Sequence, residues 1–145
     1  MKALNEFRMT VDSKSINEGF SRTAVAAFAA QLDPTLDEIS DIKMAVSEAV
    51  TNCIVHAYPD SVGKIYIYAA ILDGGTLKIS VRDKGCGIID VKQAMEPLFT
   101  TLGGERAGLG FAVMESFTDR ISVRSALGKG TTVTMYKKIN GRAAL

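Results

Sequence analysis

The sequence contains no tryptophan, three prolines, two cysteines and one histidine. Two cysteines are too few for the disulfide framework of a small secreted domain, and we interpret Cys53 and Cys86 as reduced thiols of a cytosolic protein. No group of cysteines and histidines has the spacing of a zinc site. Without a second histidine, a phosphohistidine relay is also a poor interpretation.

The chain lacks any excess of charge and any long hydrophobic run. Lysine and arginine number 17 against 16 aspartates and glutamates, a formal net charge of +1, which argues against binding to nucleic acid or membranes driven by overall charge. No apolar run approaches the ~20 residues of a transmembrane helix, and residues 1–6 do not resemble a secretory signal. We therefore expect a cytoplasmic protein whose 145 residues form one domain, 1–145.

The most informative stretch is a long amphipathic helix that ends near His56. Pro34 is expected in its first turn, where a missing N–H is tolerated. Glu48, Asn52 and His56 are spaced by four residues, so they lie along one edge of the apolar stripe. We expect Glu48 and Asn52 to line a pocket and His56 to be a structural group at the helix end, although such polar pairs are common on helix surfaces. The residues predicted to form the apolar stripe are Ile42, Val46, Ala49, Val50, Cys53 and Ala57.

Alternating and continuous apolar patterns predict five strands and further helices. This order of elements predicts an α+β fold, a two-layer α/β sandwich with a mixed, mostly antiparallel sheet and helices on one face. The predicted strands are 7–11, 64–72, 76–83, 121–125 and 131–138, and the other predicted helices are 16–32, 91–97 and 111–118.

The first helix is apolar on both sides. One side carries Ile16, Phe20 and Ala27 and is expected to face the core, and Arg22 points to nearly the opposite side. Beyond Arg22 that outer side becomes apolar as well, at Val25, Ala26, Phe28 and Ala29. A helix that is apolar all round is covered on both sides, so we expect a homodimer through this helix or the first strand, with a purely intramolecular core as the alternative.

Two glycine motifs follow the long helix. Asp83-x-Gly85-x-Gly87 places a carboxylate at the end of an apolar strand, where it can accept a hydrogen bond from an exocyclic amine such as that of adenine. Gly108-x-Gly110 is expected to precede a helix and to offer free N–H groups to phosphates. Arg106 adds a positive charge suited to a terminal phosphate. Each motif alone is also compatible with an ordinary turn or helix entry.

Together these motifs resemble the Bergerat-fold nucleotide site of the gyrase, Hsp90, histidine kinase and MutL ATPases. Within that superfamily the whole chain is similar to the anti-sigma F family of sporulating bacteria, which are serine kinases and sigma factor antagonists. The residues that carry the resemblance are Glu48-x-x-x-Asn52-x-x-x-His56-Ala57-Tyr58, Asp83-x-Gly85-x-Gly87, Gly108-x-Gly110, Gly130-Thr131-Thr132, Arg22, 32–35 and 97–101.

The resemblance implies ATP or ADP with Mg²⁺ as the ligand. It implies that Asn52 binds Mg²⁺, that Glu48 is the general base, and that Asp83, supported by Thr131, accepts from adenine. Arg22 would hold both the sigma factor and the anti-anti-sigma protein. The remaining implied nucleotide-binding residues are Gly85, Gly87, Gly108 and Gly110, with Thr100, Thr101 and Arg106 in an ATP lid that spans 100–107.

Three functions remain open from the sequence. The first is an ATP-charged homodimer that holds a sigma F type factor and phosphorylates a serine of its anti-anti-sigma antagonist, or a close relative that acts on a general-stress sigma factor. The second is a nucleotide-sensing module that binds a sigma factor without useful turnover, because the lid sequence Leu102-Gly103-Gly104 departs from the family pattern. The third is a detached ATPase domain of a histidine kinase.

Overall fold

The computed structural model describes residues 2–88 and 106–141, and side chains except those of 106–109. The predicted helix 91–97 lies outside these residues. No helix of the described residues is long and apolar enough to cross a membrane. The elements are β1 (Ala3–Asp12), α1 (Ile16–Ala29), a short 3-10 turn (Ala30–Leu32), α2 (Leu36–Asn52), a π-helical turn (Cys53–Ala57), β2 (Lys64–Leu72), β3 (Thr76–Asp83), α3 (Arg106–Ser116), β4 (Arg120–Ala126) and β5 (Gly130–Lys138).

The five strands form one sheet in the order β1-β2-β3-β5-β4. Every pairing among these strands is antiparallel, so the α+β prediction is confirmed, and the parallel component expected of a mixed sheet is absent from the described strands. A tight hairpin accounts for the β2–β3 pairing, because these strands are joined by Asp73-Gly74-Gly75, in which both glycines have positive φ.

The core lies between one face of the sheet and the helices. Alternate residues of β2 and β3 point to that face, as the period of a strand requires, and they pack against the apolar stripe of α2. The predicted stripe is confirmed, because its members Ile42, Val46, Ala49, Val50 and Cys53 are all buried and Ala57 packs against the same core.

The orientation predicted for α1 is wrong. Ile16 and Phe20 are 81% and 57% exposed, whereas Val25 and Ala29 are completely buried against the core. The sequence misleads here because α1 is apolar on both sides, so periodicity finds two faces without ranking them. Arg22 is half-exposed and lies beside the buried face, not opposite to it.

Three helix boundaries also differ from prediction. Pro34 precedes the helix, because Thr35 is the N-cap of α2 and forms a capping box with Glu38. The regular helix ends at Asn52 and is followed by the π-helical turn Cys53–Ala57. His56 therefore does not lie where a spacing of four residues in an α-helix would place it. Helix α3 begins at Arg106, so Gly108 and Gly110 lie within its first two turns and do not precede it.

Candidate functional site

Glu48 and Asn52 meet the beginning of α3. A Cβ built on Gly110 would lie 3.0 Å from Oδ1 and 3.2 Å from Nδ2 of Asn52, and 3.4 Å from Oε2 of Glu48. Only a glycine allows α3 to approach α2 so closely without displacing these side chains. The structure therefore brings together the carboxylate, the amide and the first turns of a helix, three parts that the sequence separates by up to 62 positions.

The amide of Asn52 is buried, and neither Oδ1 nor Nδ2 has a hydrogen-bond partner among the described residues. A buried amide without partners costs roughly 1–3 kcal/mol, so such a group is an indication of a ligand site. Its oxygen is a hard donor of the kind that Mg²⁺ prefers, and Mg²⁺ is commonly held by one or two protein oxygens together with substrate phosphates. The amide oxygen would therefore be a chemically suitable ligand for Mg²⁺.

The beginning of α3 supplies the complementary charge. The first N–H groups of a helix have no partner within the helix and lie at its positive end, so they favour an anion. Gly110 is buried and Gly108 belongs to the same turns. The side chain of Arg106 is outside the description, and Thr100 and Thr101 of the expected lid lie outside the described residues.

Asp83 ends β3 as a carboxylate that is only 6% exposed. Its Oδ1 accepts hydrogen bonds from the backbone N–H of Gly85 at 3.0 Å and of Thr131 at 3.1 Å. The thiol of Cys53 donates to Oδ2 across 3.6 Å. Burial raises the pKa of Asp83, and the three donors oppose that rise. Oδ2 therefore retains acceptor capacity toward an exocyclic amine.

The contact from Cys53 to Asp83 links the segment around Asn52 to the end of β3. Cys53 directly follows Asn52 and is 4% exposed, and both its burial and the charge of Asp83 raise the pKa of its thiol. It stays a neutral S–H donor and not a nucleophile. The sequence gives no signal for this contact, because Cys53 is also an ordinary member of the apolar stripe of α2.

The glycine loop after β3 packs between two other segments. A Cβ on Gly85 would lie 2.2 Å from the carbonyl oxygen of Ala57, and one on Gly87, whose φ is +76°, would lie 2.2 Å from that of Ala126. The missing side chains of these glycines admit the π-helical turn and the β4–β5 hairpin. The nucleotide-binding role that the resemblance implies for Gly85 and Gly87 stays a prediction.

Hydrogen bonds fix the two neighbours of this loop. The Tyr58 hydroxyl accepts from the Lys84 N–H and donates to the Lys64 carbonyl, both at 2.7 Å. On the other side Ser125 Oγ accepts from the Ile88 N–H at 2.8 Å and lies 2.8 Å from Thr131 Oγ1. Thr131 therefore supports Asp83 through its backbone while its hydroxyl braces the hairpin.

Arg22 forms an ion pair with Glu18 within α1. Its Nη1 contacts both carboxylate oxygens of Glu18 at 2.6 Å, and Glu18 also accepts from the hydroxyl of Ser47. The hydrogen bond from Ser47 and the ion pair with Arg22 lower the pKa of Glu18, against the opposing effect of burial. The pair joins α1 to α2 at the residue before Glu48, a contact that the sequence did not reveal.

A family model described as "Histidine kinase-like ATPase domain" matches residues 17–137. The chain is 59% identical over 140 residues to an anti-sigma F factor of Caldanaerobacter subterraneus subsp. tengcongensis, with 96% of this chain and 97% of the relative covered. It is 56% identical to the anti-sigma F factor of Thermoanaerobacter pseudethanolicus, with the same coverage.

A solved structure of the RsbU and RsbW domains of a Mycobacterium tuberculosis protein has the same fold. It matches with a TM-score of 0.68 at 23% identity, and the match covers 93% of this chain and 32% of that one. Together with the buried amide, the carboxylate and the helix beginning, these likenesses decide the family. The chain belongs to the anti-sigma F factors, within the family of histidine kinase-like ATPase domains.

Proposed function

We propose that this protein is a cytoplasmic anti-sigma factor and serine kinase that binds ATP with Mg²⁺. The observation that carries the proposal is the buried amide of Asn52 beside Glu48 and Gly110, which has no hydrogen-bond partner among residues 2–88 and 106–141. ATP binding follows from the family, and the position of Asn52 next to the first turns of α3 supports a phosphate site there. The names of the relatives support a sigma factor of the sigma F type as the partner.

The proposal assigns a role to each of the site residues that the structure describes. Asn52 would hold Mg²⁺, which when bound supplies charge neutralisation to the phosphates. The N–H groups around Gly108 would bind phosphate oxygens, and Asp83 would accept from the exocyclic amine of adenine. Glu48 would take the proton of a serine hydroxyl on the anti-anti-sigma protein. Phosphoryl transfer depends mostly on such positioning and charge.

The homodimer and the partner surface belong to the same proposal. Ile16, Phe20 and Leu4 are large apolar side chains that are 81%, 57% and 63% exposed, and they lie on α1 and on β1, one of the two edge strands of the described sheet. An apolar helix face next to a free strand edge is typical of a surface covered by a second copy. Arg22, held by Glu18, would contact the sigma factor and its antagonist.

The substitution Glu48→Gln tests the kinase assignment. We expect it to leave ATP binding within about twofold while phosphate transfer to the serine of the anti-anti-sigma protein falls by roughly 10²–10⁴, the usual worth of a general base. Calorimetry with MgATP measures binding, and mass spectrometry of the partner measures phosphoserine. Sigma binding without any transfer by the unsubstituted protein would instead support a nucleotide-sensing module.

A further inference from the structure

The sheet face opposite the helices carries a pattern of charge that the total charge conceals. We call this surface the open face and define it by three rows of cross-strand neighbours. Each row runs across neighbouring strands through direct pairings, so the side chains within a row share one side of the sheet. The rows are Arg8, Tyr68, Ser80, Thr134 and Ser122; Thr10, Tyr66, Arg82, Thr132 and Arg124; and Glu6, Ala70, Lys78, Tyr136 and Arg120.

These rows are strongly basic. They contain five lysines and arginines against one carboxylate, that of Glu6, which is already paired with Arg8. Lys84 extends the basic surface just beyond β3. Since the formal net charge of the whole chain is only +1, the rest of the molecule is net acidic. The charges are therefore segregated, and the open face presents a positive field to solvent.

Cations of this surface lie over three tyrosine rings. The guanidinium of Arg8 lies 4.5 Å from the ring centroid of Tyr68, and that of Arg120 lies 4.1 Å from Tyr136. Arg82 and Lys84 lie 5.5 and 5.1 Å from the ring of Tyr66. A guanidinium stacked on a ring keeps its N–H edges available, so these contacts preorganise donors for phosphate oxygens.

The exposure of these groups leaves them accessible. Arg82, Lys84, Arg120 and Arg124 are exposed, and the side chain of Arg8 is 70% exposed. Hydroxyl groups of serine and threonine lie between the cations in the first two rows, and hydroxyls are common donors to phosphate. The surface thus combines fixed cations, hydroxyl donors and aromatic rings.

We propose that the open face binds single-stranded nucleic acid. A polyphosphate backbone matches the cations and hydroxyls, and unstacked bases match the tyrosine and guanidinium planes, which an acidic peptide would leave unused. Five strands at ~4.8 Å spacing make a surface about 19 Å wide, too wide for the ~12 Å major groove of a duplex, so single strands are the form that fits. This inference does not depend on the proposed kinase function.

The test is fluorescence anisotropy with labelled dT15 and rU15, titrated with the full chain at several salt concentrations. The variant R82E/R124E reverses two neighbouring charges of one row, and R82Q/R124Q is a milder version that removes the same two charges without reversing them. The control K14E/K43E makes the same change of charge at exposed lysines outside the open face. Circular dichroism and thermal unfolding check that each variant is folded.

We expect R82E/R124E to weaken dT15 binding at least tenfold and to flatten the slope of log K against log salt by about 1.4, from ~0.7 for each lost phosphate contact. The control should change affinity by less than about threefold. Tyr66→Leu should weaken binding about fivefold or more at an unchanged slope, since stacking is independent of salt.

Three results would overturn the proposal. One is no anisotropy change with dT15 or rU15 at low salt. Another is an equal loss of affinity in the control variant K14E/K43E. The third is a labelled oligoglutamate peptide of matching length that binds as tightly as dT15, with the same dependence on the charge variants and none on Tyr66, which would assign the face to an acidic protein.

Discussion

At the scale of single residues, Asp83 is a buried carboxylate whose Oδ2 retains acceptor capacity. Its Oδ1 has two backbone donors, whereas within the described part of the chain Oδ2 has only the weak donor Cys53 at 3.6 Å. Because hydrogen bonds to charged groups are strong, a base that donates to Oδ2 gains far more than one that presents an oxygen. In the proposed nucleotide site the carboxylate of Asp83 would therefore distinguish an amino-purine from an oxo-purine.

We predict that Asp83→Asn reverses this preference. An asparagine can still accept from Gly85 and Thr131 through Oδ1, but its NH₂ would face the base as a donor. ATP affinity should fall at least ~10-fold, as for a lost charged hydrogen bond worth about 1.5–3 kcal/mol, while ITP affinity holds or rises. Calorimetric titration with both nucleotides measures the ratio, and an unchanged ATP to ITP ratio would contradict the role of Asp83.

The sequence predicted the polar residues of the candidate site better than the packing contacts around them. Glu48, Asn52 and Asp83 stand out as polar residues that follow or border apolar patterns, and the resemblance to ATPases placed them together. The packing of Gly85 on Ala57 and the thiol contact of Cys53 were not predictable, because each joins distant segments through small residues that are common in any core.

Gly110 offers a prediction that separates ligand binding from stability. Gly110→Ala would place a Cβ 3.0 Å from Asn52 Oδ1, so ATP affinity should fall about tenfold, a loss of ~1.4 kcal/mol. The free energy of unfolding should fall much less, because alanine favours a helix over glycine by about 1 kcal/mol.

The matched control for this substitution is Gly19→Ala in α1. There the nearest atom to a new Cβ is Arg22 Nη2 at 3.8 Å, an ordinary contact. We expect higher stability by about 0.5–1 kcal/mol and unchanged ATP affinity. Urea unfolding and calorimetry measure the two quantities, and equal ATP affinities in the two variants would show that Gly110 does not adjoin the ligand.

At the scale of elements, Glu38 links the beginning of α2 to the segment that follows β5. It completes the capping box with Thr35 and accepts from the backbone N–H of Asn140 at 2.8 Å and of Gly141 at 3.1 Å. Burial acts to raise the pKa of Glu38, but these backbone donors outweigh it and lower the pKa below its ordinary value of 4.5. The ionised form is therefore the one that the fold stabilises.

The sign of this shift gives a pH prediction. Because the folded-state pKa is depressed, the contribution of Glu38 is fully present above pH 4.5 and is lost as pH falls through the folded-state value. Glu38→Gln should lower the free energy of unfolding by about 1 kcal/mol at pH 7, as for loss of a cap. The difference from the unsubstituted protein should vanish in acid.

The neighbouring Asp37 provides the control, since it is an exposed acid in the same first turn. Asp37→Asn should lower the free energy of unfolding by about 0.3–1 kcal/mol at most, because it removes a favourable charge from the positive end of the helix dipole. Urea unfolding between pH 3 and pH 7 measures both variants. A Glu38→Gln deficit that persists undiminished at pH 3 would be incompatible with the ionised cap.

Periodicity predicted the elements well and their boundaries less well. The strands 64–72 and 76–83 match the structure residue for residue, because a glycine turn delimits them. The start of α3 and the π-helical turn after Asn52 were missed. Both depend on contacts with other segments and not on local propensity.

At the scale of the whole molecule, composition hides two asymmetries that the fold creates. A nearly balanced charge is separated into a basic open face and a net acidic remainder, and an ordinary apolar fraction leaves Ile16 and Phe20 on one exposed stripe of α1. Totals cannot reveal either feature, since each depends on which side of a strand or helix a residue occupies. In the two proposals above, the first asymmetry would offer a surface to a polyanion and the second would offer one to another copy of the chain.

The second asymmetry leads to a prediction about assembly. Phe20→Asp places a charge at the centre of the apolar stripe, where Phe20 is 57% exposed, so the folded monomer should tolerate it. A charge buried at an interface should cost the dimer more than ~2 kcal/mol, or about 30-fold in its dissociation constant. Sedimentation equilibrium and light scattering measure the shift to monomer.

Arg22→Glu is the companion variant, because Arg22 lies on the same helix but beside the buried face and bonded to Glu18. It should leave the dimer intact and weaken sigma factor binding by more than ~2 kcal/mol, as expected for a charged anchor at an interface. If Phe20→Asp stays dimeric, the second copy lies elsewhere. If Arg22→Glu instead dissociates the dimer at full sigma affinity, Arg22 belongs to the dimer contact and the partner surface must be sought on another element.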